Sequence, residues 1–176
     1  MVLLCSSSLA LDWKGIGYEV AGDHVVITGG RLTSSPFHLV IPDSIEGLPV
    51  TRIRNEAFKN QPLYSVTFPI TMENIGYRAF YHDLVNSYGL IGGFGLLEKV
   101  LLNPGLKYIG GSAFRGNRIT SIDIPDSVTL IGDSAFSYNR LTSATISGSP
   151  TSIGVHAFSH NNLTGISIPD SVTTIG

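Results

Sequence analysis

Ile119-Thr120-Ser121-Ile122-Asp123-Ile124-Pro125-Asp126-Ser127-Val128-Thr129-Leu130-Ile131-Gly132-Asp133-Ser134-Ala135-Phe136-Ser137-Tyr138-Asn139-Arg140 is one unit of a repeat that runs through most of this chain. Within it Ile122 and Ile124 alternate with Ser121 and Asp123, the period-2 pattern of a short strand with one buried face. Pro125 lacks an N–H for the ladder and ends the strand. Asp126-Ser127 turns the chain, Val128 and Ile131 point back inward, and Gly132 is expected to permit a tight or positive-φ corner. Ala135 and Phe136 supply the last inward layer, the small residue making room for the ring.

The same unit recurs on both sides. Leu141-Thr142-Ser143-Ala144-Thr145-Ile146 and Leu163-Thr164-Gly165-Ile166-Ser167-Ile168 repeat its opening. The closing phenylalanines fall at Phe58, Phe80, Phe114, Phe136 and Phe158, in steps of 22, 34, 22 and 22 residues. The second step is therefore one repeat plus an insertion of twelve. A fixed period of this size predicts a solenoid whose turns each contact only their neighbours.

One turn is too thin to bury its own apolar face, but stacked turns form continuous ladders. One runs through Val66, Val100, Ile122, Ala144 and Ile166, and a second through Phe68, Leu102, Ile124, Ile146 and Ile168. A third runs through Ile53, Ile75, Ile109, Ile131, Ile153 and Ile175, and the phenylalanines make the fourth. Each buried Ile, Leu or Phe contributes roughly 1.5–3 kcal/mol, so the stack needs no disulfide. Strands are expected to run parallel, about 4.8 Å apart. Asn117, Asn139 and Asn161, with Gln61 and Asp83 at the corresponding earlier positions, read as a column whose side chains satisfy turn backbone groups.

These residues carry a resemblance. Leu-x-x-Ile-x-Ile-Pro, then Val-x-x-Ile-Gly and Ala-Phe, resembles the BspA-type leucine-rich repeats of bacterial surface proteins. Ile-Pro-Asp-Ser occurs at 41–44, 124–127 and 168–171, and Ile-Gly closes the third-ladder segment at 75–76, 109–110, 131–132, 153–154 and 175–176. The resemblance implies a β-rich, curved, right-handed leucine-rich repeat solenoid. A parallel strand would line the concave face, with short turns or 3-10 segments on the convex side. It also implies export, and adhesion to host proteins or other cells. Residues 18–58 read as the entry unit with the first repeat, and 59–176 as further repeats ending in a truncated one. An end without a capping unit exposes apolar side chains and strand edges, which predicts self-association or a covering partner.

Residues 1–17 read as a partial signal-like or disordered segment. Met1 to Ala10 is apolar and then small, like the back half of a secretory leader, with Ser8-Leu9-Ala10 suited to cleavage; a basic start is missing. Cys5 is the only cysteine, which excludes an internal disulfide and a thiolate zinc site. A net charge of −2 gives no reason to expect nucleic acid, and no apolar run is long enough to span a bilayer.

Little in the chain points to chemistry. His156 and His160 are spaced four apart but lie on a turn around a core phenylalanine, not on a metal-binding helix. No Gly-x-Ser-x-Gly elbow occurs. Asp43, Asp126 and Asp170 hold equivalent corners, yet Gly148 and Pro104 break the column, so neither a metal nor a cofactor is expected. The outward residues of the concave strands remain: His38, Val40, Ser65, Thr67, Lys99, Leu101, Ser121, Asp123, Ser143, Thr145, Gly165 and Ser167. Solenoids use such rows as binding surfaces. The reading is a non-catalytic module binding a protein or cell-surface partner there, with a structural spacer as the alternative. In the insertion, residues 84–95, Tyr88 and Phe94 are candidate contact anchors. The segment also reads as a degenerate strand, because Val85, Tyr88 and Leu90 keep the strand spacing.

Overall fold

A computed structural model describes residues 10–13, 15–30, 37–83, 95–148, 150 and 152–176. Every regular element among them is a strand. Tyr88, Phe94, Cys5 and the start of the leader-like stretch lie outside the described residues. Among the described residues no helix is long and apolar enough to cross a membrane.

The Ile-Gly corners build one long sheet. It starts with β1 (Ala10–Trp13), β2 (Ile16–Ala21) and β3 (His24–Gly30), joined antiparallel. It continues parallel through β6 (Leu48–Ile53), β8 (Asn74–Ile75), β10 (Tyr108–Ile109), β12 (Leu130–Ile131), β14 (Ser152–Ile153) and β15 (Thr174–Ile175). The short strand β5 (Ser44–Ile45) folds back on β6. Strands of the Ile-x-Ile segments form a second layer: β4 (Phe37–Val40), β7 (Leu63–Thr67) and β9 (Lys99–Leu101) in one sheet, β11 (Ser121–Ile124) and β13 (Ser143–Ile146) in another. Both layers are parallel, as the repeat requires.

Strands β1 and β2 begin ahead of residue 18, and Ile16 and Tyr18 are both buried. The Ile-Gly side of the coil carries two-residue hydrogen-bonded strands between its turns. Residues 165–168 lie in no strand, although Ile166 and Ile168 still pack against the core.

Between the layers the ladders close as expected. Phe58, Phe80, Phe114, Phe136 and Phe158 stack face to face with centroids 5.3, 5.3, 5.3 and 5.5 Å apart. Phe80 and Phe114, separated by 34 residues, stack as closely as pairs separated by 22. Likewise β7 pairs directly with β9, and β8 with β10. The coils on either side of the insertion are therefore immediate neighbours; Val85, Tyr88 and Leu90, with the strand spacing read in them, lie outside the described residues.

The asparagine column behaves as the repeat predicts from Asn117 onward. Asn139 Nδ2 donates to the carbonyls of Phe114 and Phe136 at 2.9 and 3.0 Å, and its Oδ1 accepts the Ile119 N–H at 3.1 Å. Asn161 repeats this one coil on. The column does not extend to Asp83, which instead accepts from Asn60 Nδ2 at 2.6 Å while its N–H meets Asn60 Oδ1. Gly95 holds the column position before Asn117, and a Cβ there would collide with Asn117 Oδ1.

Gly132 has a different job from the one expected. Its φ is not positive; a Cβ on it would sit 2.5 Å from the Gly111 N and 2.8 Å from the Gly110 carbonyl carbon. The glycine column lets neighbouring backbones touch. Left-handed φ falls two residues later, on Glu56, Arg78, Ser112, Ser134 and His156, all between 52° and 59°. Gly132→Ala should therefore cost about 1–3 kcal/mol through overpacking. Ser134→Gly should stay within about 1 kcal/mol of wild type, relief of the left-handed strain offsetting added chain entropy. Denaturant unfolding of the two variants checks both, and the opposite ranking would mean that φ governs this corner.

Candidate functional site

Register along the Ile-x-Ile layer fixes which side chains share its outer face. His38 pairs with Ser65 and Ser65 with Lys99; Val40 pairs with Thr67 and Thr67 with Leu101. On the second sheet Ser121 pairs with Ser143 and Asp123 with Thr145. Because alternate residues face opposite ways, these form two outward columns. Leu39, Val66, Ile122 and Ile124 are buried behind them. His38, Lys99, Leu101, Ser121, Asp123, Ser143 and Thr145 are exposed, while Ser65 and Thr67 are half-buried. Ser167 is exposed but belongs to no strand, so the structure does not join it to the face.

The face is split. Among the described residues β9 and β11 are not paired, and the backbone tie here is Arg118 N–H to Leu97 C=O at 3.0 Å, upstream of both strands. Asn103, which replaces the strand-ending proline, ties its coil backward by donating to the carbonyls of Ile70 and Met72, each at 3.0 Å. The split opens a cleft of about 380 Å³ lined by Ser65, Thr67, Glu98, Lys99, Leu101, Thr120 and Ser121. Leu101, 66% exposed, borders it, and Val40, 56% exposed, continues the same column.

A third outward column was missed by the sequence reading. Tyr64 and Glu98 stand one residue before the two columns named above, at the position that Thr120 and Thr142 hold later. Strict alternation gave no such signal, because it would turn the neighbours of Ser65 and Lys99 inward; the register shift that leaves Tyr64 unpaired between Leu63 and Ser65 is visible only in the strand pairing. Tyr64 meets His38 edge to face at 5.2 Å, and Lys99 Nζ lies 6.0 Å from its ring. His38 Nδ1 is 2.8 Å from Ser65 Oγ. Among the described residues no carboxylate is in ion-pair contact with His38. The pair therefore lacks the group that would orient the ring for nucleophilic chemistry. Nor do the described residues hold any cluster of three His, Cys, Asp or Glu suited to a metal. What this surface offers is shape, two exposed aliphatic groups, one ammonium, the carboxylates of Glu98 and Asp123, the His38 imidazole and a set of hydroxyls.

The repeat profile described as "BspA type Leucine rich repeat region" matches residues 38–89 and 93–176 in six copies. This chain belongs to that family. Comparison with curated proteins gives no match. Among solved structures the BspA-type solenoid is similar to the pneumococcal vaccine antigen PcpA, at 22% identity and a TM-score of 0.76, over 97% of this chain and 46% of that one. It is also similar to a leucine rich cell surface protein from Faecalibacterium prausnitzii (26% identity, TM-score 0.64, 98% and 52% covered). A leucine-rich repeat protein from Bacteroides capillosus is similar too (25%, 0.57, 69% and 86%). The BspA-type chain thus spans about half the length of the first two.

The hydrogen bond from Tyr64 to the Glu98 carboxylate, together with its charge, holds the phenol above its ordinary value of 10.0. In Glu98→Gln the phenolate is no longer opposed by that charge, so Tyr64 should ionise at lower pH than in the wild type. Tyrosinate absorbance with and without Tyr64→Phe isolates this group. An unmoved titration would show that the two side chains do not meet in solution.

Proposed function

We propose that this chain is a non-catalytic binding module of an exported, surface-displayed bacterial protein, and that it recognises a protein or cell-surface partner through the strand face. The supporting observation is the cleft at the split between β9 and β11, where Leu101 stands exposed beside Lys99. Exposed aliphatic groups around a concave polar site are the usual make-up of a recognition patch. His38, Ser65, Thr67, Lys99, Leu101, Ser121 and Asp123 are the contact residues on this reading, with Ser143 and Thr145 extending it. Membership in a leucine-rich repeat family and the description of the F. prausnitzii relative as a cell surface protein support surface display. Tyr88 and Phe94 in the insertion are further contact candidates.

Capture of host-matrix and bacterial-surface proteins by the soluble domain tests this. A Lys99→Glu/Leu101→Ala variant, checked for folding, should lose capture by about tenfold or more, the usual scale for residues central to an interface. Capture lost only on deletion of 84–95 moves the contact to the insertion. Undiminished capture in both variants rules out both sites. No saturable capture by folded wild type leaves the spacer role for this domain.

A further inference from the structure

The residue two places after each corner isoleucine forms a further column on the Ile-Gly side of the coil: Asn55, Tyr77, Gly111, Asp133 and Val155. In two coils this residue caps the next one. Asn55 Oδ1 accepts the Tyr77 N–H and Asp133 Oδ1 accepts the Val155 N–H, each at 2.8 Å. Tyr77 and Gly111 carry no oxygen that could do the same. Among the described residues the N–H groups of Gly111 and Asp133 accordingly meet no acceptor. Gly111 is not held there by its backbone, because its φ is not positive. A Cβ on it would lie 3.3 Å from the Asp133 carbonyl oxygen and 3.4 Å from Tyr77 Cδ2. The capping column thus has a vacant side-chain position between Tyr77 and Asp133.

That position opens into a groove of about 550 Å³ on the Ile-Gly layer, away from the strand face. Its size is that of a small-molecule site. Tyr77, 43% exposed, and the half-buried Tyr108 supply apolar wall. Ser112 and Ser134 line it with hydroxyls that form no hydrogen bond among the described residues, and Asp133 Oδ2 is likewise open. No Lys, Arg or His lines it among the described residues. Arg78, whose guanidinium lies 4.9 Å from the Tyr77 ring centre, is paired with Glu56 at 3.7 Å. The groove therefore presents two main-chain donors, two hydroxyls, one carboxylate and two aromatic rings, with no cation.

We propose that this groove is a second binding site, separate from the strand face, for an N-acetylated hexosamine unit of a neutral glycan. The acetamido carbonyl oxygen takes the position that a side chain at 111 would fill and accepts the Asp133 N–H, as Asn55 Oδ1 does for Tyr77. Sugar hydroxyls donate to Asp133 Oδ2 and exchange hydrogen bonds with Ser112 and Ser134, while the C–H face of the ring packs on tyrosine. An anionic ligand would meet the Asp133 carboxylate with no cation to offset it. An extended peptide pairs its main chain with a free strand edge, and here β10 is already paired on both sides, with β8 and β12. A neutral acyl oxygen, hydroxyls and an apolar face together are what an acetamido sugar carries.

Calorimetric titration of the soluble protein with tri-N-acetylchitotriose, cellotriose and acetyl-trialanine amide tests this. Cellotriose has a hydroxyl in place of each acetamido group, and the peptide carries acyl oxygens without the sugar. The acetylated trisaccharide should bind at least about tenfold more tightly than either, as loss of a hydrogen bond to an otherwise unpaired donor predicts. Gly111→Asn puts a side-chain oxygen into the vacant position. It should keep the fold, checked by Tm, and weaken binding by about tenfold or more. Lys99→Glu on the strand face should leave affinity unchanged, which separates this site from the proposed protein site. Should Gly111→Asn misfold, Tyr108→Ser removes apolar wall and should weaken binding on the same scale. Wild-type affinity in either folded variant overturns the proposal. So does equal binding of cellotriose or the peptide, or no saturable binding of the acetylated trisaccharide.

Discussion

Neighbouring coils touch backbone to backbone at the Ile-Gly corner, and the rest of the molecule depends on that contact. A Cβ on Gly76, Gly110, Gly132 or Gly154 would lie within 2.7 Å of the preceding coil's main chain. Only at this separation do the two-residue strands hydrogen-bond and the phenylalanine rings meet at 5.3–5.5 Å. The glycines therefore act through packing distance, not through backbone freedom. The positive φ falls two positions on, at non-glycine residues Arg78, Ser112, Ser134 and His156, so the glycines are not the residues that turn the chain left-handed.

Fixed spacing makes the solenoid tolerant along its length. Phe80 and Phe114 show this most directly, since twelve extra residues between them leave both ring stacking and strand pairing unchanged. The strand layer is the looser of the two. It opens between β9 and β11 while the Ile-Gly sheet continues past the same point. Asn103 accounts for part of the difference, because a side chain that bonds the carbonyls of Ile70 and Met72 draws its corner toward the previous coil. The cleft thus arises where one layer yields and the other holds.

Much of this was legible in the chain. The ladders through Ile53, Ile75, Ile109, Ile131 and Ile153 and through Phe58, Phe80, Phe114 and Phe136 are buried as the period requires, with Phe158 half-buried at the end. The paired columns His38–Ser65–Lys99 and Ser121–Ser143 follow from simple alternation. Less legible were the places where a repeat position is occupied by an atypical residue. Gly95 replaces the asparagine ahead of Asn117, and Asn60 with Asp83 forms a local pair that no repeat position announces. Ile175 belongs to the buried isoleucine column by sequence, yet is 60% exposed because a coil neighbours it on one side only.

By itself the sequence determined the period, the inward residues, the family and the outward columns, because a repeat imposes the same environment on equivalent positions and alternation assigns the faces. Tertiary structure decided what depends on distances between coils. It set which strands fail to pair, that Tyr64 and Glu98 stand beside His38 and Lys99, and that Arg78, Tyr81, Arg115 and Tyr138 interleave. Net charge, a sum over the whole chain, could not reveal the last of these, since only stacking brings residues from successive turns into one row.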